Sequence, residues 1–215
     1  MSKLLRDLLD KGKSFGGWTI TDEERQSYQN DIRIADRYAI EMPSVPLPKP
    51  DRFVKDKLIL QRGDRKIEIL HLGGGHTPSD LVVYLPKEKI VAVGDLVVYP
   101  VPLVGGPQSS IQAWPETLNR VMALKTTNIL PGHGPVLLNR SYLVKMRDLF
   151  AEALKMTRVA LGGGASLEEA QKRIVLASFE KSFCGESKVR KVLWDNYVRV
   201  PTIAAAYREL TAKHL

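Results

Sequence analysis

The chain has 215 residues, 44% of them hydrophobic and 26% charged, which is typical of a folded globular protein with one good core. No apolar run approaches the roughly 20 residues of a membrane-spanning helix, and the first residues lack the apolar stretch of a signal peptide, so we expect neither. The formal charge is +8, with acidic and basic residues interleaved over residues 140–215, which favours a solvated helix surface over a nucleic-acid-binding one. Cys184 is the single cysteine, so an internal disulfide and a cysteine-based zinc knuckle are excluded.

Residues 1–50 are predicted to form two helices and a connector. Leucines at helical spacing predict a short helix over residues 3–11. Thr21 and Glu24 match the capping box, which predicts a second helix from about residue 22 to Met42. The prolines between residues 43 and 50 are incompatible with a regular helix and predict an extended segment.

Residues 51–140 are predicted to form a sheet. Strands are expected over residues 57–61, 66–72, 81–85 and 90–93, with a hairpin turn at 62–65. The third and fourth are nearly continuous apolar runs, as buried strands are. A helix over residues 110–124, capped by Ser110, and a short strand over residues 128–130 complete this part.

Residues 141–215 are predicted to form a helical extension. The pattern predicts helices over residues 141–160, from Ser166 toward Phe179, and over residues 188–212 with an interruption at Pro201. Ser166 and Glu169 form a second capping box. The sequence therefore indicates an α/β fold with a strand-rich centre and helices at both ends.

Three side chains are candidate metal ligands because each follows an apolar, strand-like run. His76 lies in the segment GHTPSD, Asp95 in VGDL and His133 in PGHGP. Taken singly, His76 could equally be a histidine in a surface turn, and Asp95 a loop cap. Taken together, nitrogen and oxygen ligands without sulfur suit Zn, Mn or Fe. An aspartate can also bridge two metals, and a two-metal site generates a hydroxide nucleophile at neutral pH.

In their order and approximate spacing, these three motifs resemble the last three metal-ligand segments of the metallo-β-lactamase superfamily. The resemblance covers the stretch from Leu58 to Pro135, and the tail from Ser166 to Leu210 is similar to the helical extension of some bacterial members. It implies a partial αββα sandwich with a C-terminal helical extension. It also implies that His76 binds a first zinc ion, that Asp95 bridges two ions and that His133 binds the second.

The same resemblance implies a metal-dependent hydrolase acting on a small-molecule substrate. A metal-bound hydroxide held at Asp95 would be the attacking group, which makes Asp95 the candidate catalytic residue. The best-known β-lactamases of the fold have a cysteine where this chain has Asp95. An ester, thioester, lactone or phosphodiester is therefore the more natural substrate class than a β-lactam.

The chain departs from the superfamily in lacking its main signature, His-x-His-x-Asp-His. Its four histidines are His71, His76, His133 and His214, and none forms that signature. The resemblance thus implies a family member truncated at its N-terminus, with two protein ligands left for each metal. A catalytic zinc ion normally has three, so weak metal binding is expected. His71 is predicted to be an ordinary strand histidine, and a non-catalytic binding or assembly protein is the alternative function.

A sandwich without its first sheet would expose apolar surface and an open strand edge. We expect Leu81, Val82, Val83, Ile90, Val91 and Val93 to lose part of their cover. The prediction is a marginally stable chain, or one that self-associates into a homo-oligomer through the exposed sheet.

Overall fold

A computed structural model describes residues 2–212, so that His214 lies outside the described part. The chain divides into two compact units, Met1–Phe53 and Val54–Leu215. The helices are α1 (Ser2–Asp10), α2 (Asp22–Glu41), α3 (Trp114–Ala123), α4 (Ser141–Gly162), α5 (Leu167–Arg173), α6 (Ala177–Cys184), α7 (Lys188–Trp194) and α8 (Val200–Ala212). The strands are β1 (Lys57–Arg62), β2 (Arg65–Leu70), β3 (Val82–Leu85), β4 (Ile90–Val98) and β5 (Asn128–His133).

The first unit contains α1 and α2, as predicted. The capping box at the start of α2 is present: Thr21 accepts a hydrogen bond from the Glu24 backbone, and the Glu24 carboxylate accepts one from the Thr21 backbone. The helix gives way to a single 3₁₀ turn at Met42–Ser44, followed by chain without regular secondary structure to Phe53. Proline prevents a helix from continuing beyond this point, and the predicted connector is confirmed.

The second unit contains one five-stranded sheet in the order β1-β2-β3-β4-β5. The first four strands pair antiparallel, with β1 and β2 joined by the predicted hairpin, whereas β4 and β5 pair in parallel. The parallel pair needs a crossover, which α3 provides. Strands β1 and β3 differ from their predicted bounds by one residue. The larger differences are in β2, which ends earlier, at Leu70, and in β4 and β5, which extend further, to Val98 and His133.

One face of the sheet forms the core. Val82, Val91 and Val93 on this face are at most 1% exposed. They pack in one cluster with buried side chains of the helices, which are Trp114, Leu118, Val121, Leu143, Met146, Leu149, Phe150, Trp194, Val198 and Ile203. The prediction that Val82, Val91 and Val93 lose cover is therefore wrong, because they point toward the helices.

The opposite face of the sheet is apolar and open. One row of paired residues crosses all five strands, from Leu58 through Ile69, Val83 and Ala92 to Leu130. Paired residues point to the same side of a sheet. All five side chains are partly exposed, and Val83 and Leu130 are the most exposed of them, at 36% each. The expected exposure is thus present at Val83 on this face, and Leu81, which precedes β3, is also exposed.

The C-terminal helices follow the predicted pattern with two differences. The predicted helix from Ser166 toward Phe179 is two helices, α5 and α6, because the chain turns at Leu176, which has φ +55° and is buried with Ile174. The last predicted helix is broken by a π-helical turn at Asp195–Arg199, directly before the expected break at Pro201. Proline cannot donate a backbone hydrogen bond, so regular α-helical bonding is interrupted near it.

Helix α3 begins at Trp114 and not near Ser110 as predicted. Ser110 Oγ nevertheless accepts a hydrogen bond from the Ala113 backbone at 3.2 Å, as a cap residue does. The backbone N–H groups of Ile111 and Gln112 donate to the two carboxylate oxygens of Glu209, at 3.0 and 2.9 Å. Glu209 lies 97 residues away along the chain, so this contact is invisible to local sequence patterns.

The predicted fold class, a mixed α/β arrangement with a C-terminal helical extension, is confirmed. Among residues 2–212, none of the helices has the length and apolarity required to cross a membrane.

Candidate metal centre

Asp95 lies at a bulge in β4. From the pair Gly94–Pro131 to the pair Val98–His133, β4 contains two more residues than β5, so the parallel pairing is irregular around Asp95. Gly94 adopts φ +57°, a left-handed conformation that glycine takes without steric cost. Bulges of this kind redirect side chains and are common beside active sites. The prediction that Asp95 follows the end of its strand is wrong, because pairing resumes beyond it.

The bulge brings Asp95 to His133 at the end of β5. The distance from His133 Nε2 to Asp95 Oδ1 is 3.6 Å, longer than a hydrogen bond. The Asp95 side chain is 37% exposed and that of His133 66% exposed, so solvent reaches the space between them. A carboxylate oxygen and an imidazole nitrogen, both able to bind a metal ion, therefore face each other without a direct hydrogen bond.

Gly132 makes this approach possible. A Cβ atom at Gly132 would lie 1.9 Å from Asp95 Oδ1 and 2.6 Å from the Gly94 carbonyl carbon. Both distances are far inside van der Waals contact. The Asp95 side chain can therefore occupy its position only because residue 132 is glycine.

The Asp95–His133 pair fits two ligands of one cation. Zinc lies about 2.0–2.2 Å from histidine nitrogen and carboxylate oxygen. Two such bonds together span about 4 Å, more than the 3.6 Å that separates the two donors. A neutral imidazole and a carboxylate are also a donor set that zinc accepts. The pair alone does not complete a catalytic zinc site, which takes three protein ligands.

His76 lies in a loop that packs against α3. Thr117 Oγ1 donates to the Gly74 carbonyl at 2.7 Å, and Asp80 accepts from the Thr77 backbone and hydroxyl, which closes the turn after His76. The Trp114 indole lies against Gly75, and its ring meets the His76 ring edge to face at 6.1 Å. The loop conformation is therefore fixed on both sides of the histidine.

The His76 ring has a defined tautomer. Its Nδ1 lies 3.1 Å from the Leu103 carbonyl oxygen. A carbonyl only accepts, so we assign the hydrogen to Nδ1, which leaves Nε2 with a free lone pair in the neutral ring. An imidazole oriented in this way is prepared to bind a metal through Nε2.

The structure brings Asp95 and His133 together but does not group His76 with them. Across residues 2–212, no set of three or more His, Cys, Asp or Glu side chains is arranged to hold a metal ion. Convergence of all three predicted ligands on one centre remains a prediction.

Two other candidate residues lie outside this centre. His71 directly follows β2, and its Nε2 contacts the Pro78 carbonyl oxygen at 3.0 Å, so its ring is engaged by the neighbouring loop. Cys184, at the end of α6, is buried, and desolvation raises the pKa of its thiol. A buried thiol with a raised pKa is a poor nucleophile.

Sequence patterns missed a set of contacts that holds the loop beside His76. Ser109 Oγ donates to the His76 carbonyl at 2.9 Å, and Arg208 Nη2 donates to the Ser109 carbonyl at 2.8 Å. Together with the Glu209 contacts described above, these bonds attach the segment before α3 to helix α8. Helix α8 thus takes part in positioning His76, although no motif in it suggests this role.

A sequence model of the metallo-beta-lactamase superfamily matches residues 5–133. The match covers more than half of the chain, which therefore belongs to the metallo-beta-lactamase superfamily. The resemblance predicted from three motifs is confirmed, and the match reaches back through the N-terminal helices to residue 5.

Two curated relatives match part of the chain. It is 32% identical over 92 residues, 41% of its length, to the metallo-beta-lactamase type 2 of Bacteroides fragilis, and the match covers 37% of that protein. It is 33% identical over 75 residues, 33% of its length, to the metallo-beta-lactamase IND-1 of Chryseobacterium indologenes, and covers 31% of it. The chain thus matches only about a third of the length of either relative, 37% and 31%.

A solved structure shares the fold. The inverting sec-alkylsulfatase Pisa1 from Pseudomonas sp. superposes with a TM-score of 0.57 at 19% identity. The superposition covers 76% of this chain and 27% of that one. The arrangement of one sheet with its helices is therefore found in a larger hydrolase.

Proposed function

We propose that this chain is a metal-dependent hydrolase with His76, Asp95 and His133 as its metal ligands and zinc as the metal. The observation that carries the proposal is the Asp95–His133 pair, whose donor atoms lie 3.6 Å apart at a bulge that Gly94 and Gly132 permit. The separation exceeds a hydrogen-bond distance, and it is compatible with two ligands of one cation.

The chemistry of the pair supports one weakly held cation. Asp95 supplies the negative charge, and His133 supplies a nitrogen lone pair. When bound, a metal ion at this position supplies an activated water and an electrophile for the substrate oxygen. With only two donors facing each other, we expect an affinity below that of a complete site and slow hydrolysis by the chain alone.

The proposed substrate is an ester, thioester, lactone or phosphodiester, and not a β-lactam. The argument is the ligand type: Asp95 offers oxygen, and the single thiol of the chain, Cys184, is buried on α6. Oxygen and nitrogen ligands also admit Mn or Fe, so these metals should be compared with zinc.

Zinc titration of the purified chain tests the proposal. We expect one zinc ion per chain, measured by isothermal titration calorimetry, and its loss during dialysis, measured by mass spectrometry. Asp95→Asn and His133→Ala should each abolish detectable binding, because each removes one of the two facing donors. Hydrolysis of generic thioester, lactone and phosphodiester substrates should rise with zinc and fall in both variants.

His71→Ala is the matched control, since it removes an imidazole whose Nε2 faces the Pro78 carbonyl. It should bind zinc like the unaltered chain. Equal zinc binding by Asp95→Asn would contradict the proposal. Zinc binding without hydrolysis of any substrate would favour a binding protein over an enzyme.

The open sheet face supports the alternative, an assembly role. Antiparallel sheets that face water usually carry polar residues on that side, but here the partly exposed row from Leu58 to Leu130 is entirely apolar. Exposed apolar patches mark interaction surfaces. We propose that two copies of the chain associate through this face.

Val83→Glu is expected to reduce self-association, because it places a charge in the middle of the apolar row. Sedimentation velocity over a range of concentrations should show dimers for the unaltered chain and a shift toward monomer for the variant. Val159→Glu is the matched control, since Val159 is 71% exposed on α4. A monomeric unaltered chain that melts cooperatively at high temperature would refute the assembly role.

A further inference from the structure

A cavity of about 640 Å³ lies between the loop after β4 and helix α8. This volume falls within the roughly 300–1,000 Å³ of small-molecule sites. Its walls are mainly apolar and include Leu103, Val104, Pro107, Pro201, Ala204 and Ala205. An apolar cavity of this size is suited to the hydrocarbon part of a small ligand.

One charged side chain, Arg208, lines this mainly apolar cavity. Its Nη2 donates to the Ser109 carbonyl at 2.8 Å, which holds the guanidinium at the wall. A guanidinium has five N–H donors, so further donors remain for a ligand. The adjacent Glu209 does not line the cavity, because its carboxylate oxygens accept from the backbone of Ile111 and Gln112.

The cavity also contacts the proposed metal ligand. His76 lines it, and Gly105 lies against the His76 ring without a side chain between them. Asn196 and Tyr197 complete the polar part of the wall. A ligand bound to Arg208 therefore lies in the same cavity as the imidazole.

We infer that this cavity binds a small amphipathic carboxylate, with the carboxylate at Arg208 and the apolar chain between the 103–107 loop and α8. The inference rests on the proposed function in taking His76 as a metal ligand. It then narrows the substrate class to esters or thioesters that carry an apolar chain and one free carboxylate.

Octanoate binding to the chain in EDTA tests the inference, with octanamide as the uncharged analogue of the same shape. Calorimetry and ¹⁵N–¹H NMR shifts should show octanoate binding with shifts at residues of the 103–107 loop and α8. A charge-assisted hydrogen bond is worth enough that octanamide should bind about tenfold more weakly or worse. Arg208→Gln should weaken octanoate binding by a similar factor and remove the preference for it.

Two further variants separate ligand binding from folding. Ala204→Leu fills the cavity without altering Arg208, and should weaken both ligands. Arg158→Gln makes the same charge change at an exposed position on α4, and should bind octanoate normally. Far-UV circular dichroism establishes whether each variant is folded. If Arg208→Gln is unfolded, the inference is tested by Ala204→Leu and by the comparison of octanoate with octanamide.

Equal binding of octanamide and octanoate, or an unchanged affinity in Ala204→Leu, would overturn the inference. Because EDTA removes metal, octanoate binding is independent of whether the metal centre forms. Zinc titration of the unaltered chain reports on the metal centre separately, so that failure of either proposal is recognised without the other.

Discussion

Trp114→Ala is expected to lower the free energy of unfolding by about 3–5 kcal/mol. The indole is fully buried, its ring lies 4.5 Å from that of Phe150, and its Nε1 donates to the Leu96 carbonyl at 3.1 Å. Removal leaves a cavity between β4, α3 and α4 and deletes the hydrogen bond. Since a domain is stable by only about 5–15 kcal/mol, a large part of that margin would be lost. Urea unfolding followed by far-UV circular dichroism measures the change without relying on tryptophan emission.

Phenylalanine substitutions test the hydrogen bond separately. Trp114→Phe keeps the aromatic packing but leaves the Leu96 carbonyl without its indole donor, so we expect a loss of about 1–3 kcal/mol. Trp194 is equally buried, but its Nε1 has no partner among the described residues. Trp194→Phe should therefore be milder than Trp114→Phe, and the reverse order would refute this account of the core.

Gly132→Ala is expected to disrupt the Asp95–His133 pair. The added methyl would overlap the Asp95 carboxylate, which can rotate away, and the Gly94 backbone, which cannot. Forcing such a contact costs about 1–3 kcal/mol. Because the bulge around Asp95 must move, zinc affinity should fall by about 10–100-fold. Urea unfolding and zinc titration measure the two effects.

Gly162→Ala is the control for this substitution. Gly162 is the last residue of α4, and a Cβ there would have open space around it. Alanine is favoured over glycine in helices, so stability should be unchanged or slightly higher. Zinc affinity should also be unchanged. Normal zinc binding by Gly132→Ala would show that the close contact with Asp95 does not position a metal ligand.

Local sequence patterns predicted the secondary structure well where the determining interactions are local. Both capping boxes, at Thr21 and Ser166, are formed as expected. The hairpin between β1 and β2 is present because its two-residue turn contains Gly63, which adopts φ +61°. These features depend on neighbours within four residues, which a sequence displays directly.

The predictions of element bounds and side-chain orientation were wrong where contacts between residues distant in the chain determine them. The segment before α3 forms a turn whose backbone N–H groups are bound by Glu209, and the regular helix begins only at Trp114. Strand β4 continues beyond Asp95 because pairing with β5 resumes at Val98. The orientation of Val82, Val91 and Val93 toward the helices depends on which side of the sheet α3 and α4 occupy, and a continuous apolar run does not reveal that side.

The amino-acid sequence by itself determined the ligand types, the order of the helices and strands, and membership of the metallo-beta-lactamase superfamily. It could do so because motifs and periodicity are properties of short segments. Only the tertiary structure showed that Asp95 faces His133 across a bulge, that His76 and Arg208 line one cavity, and that one sheet face is apolar and open. Each of these depends on strand register and helix packing between residues far apart in the chain, which short-range patterns do not encode.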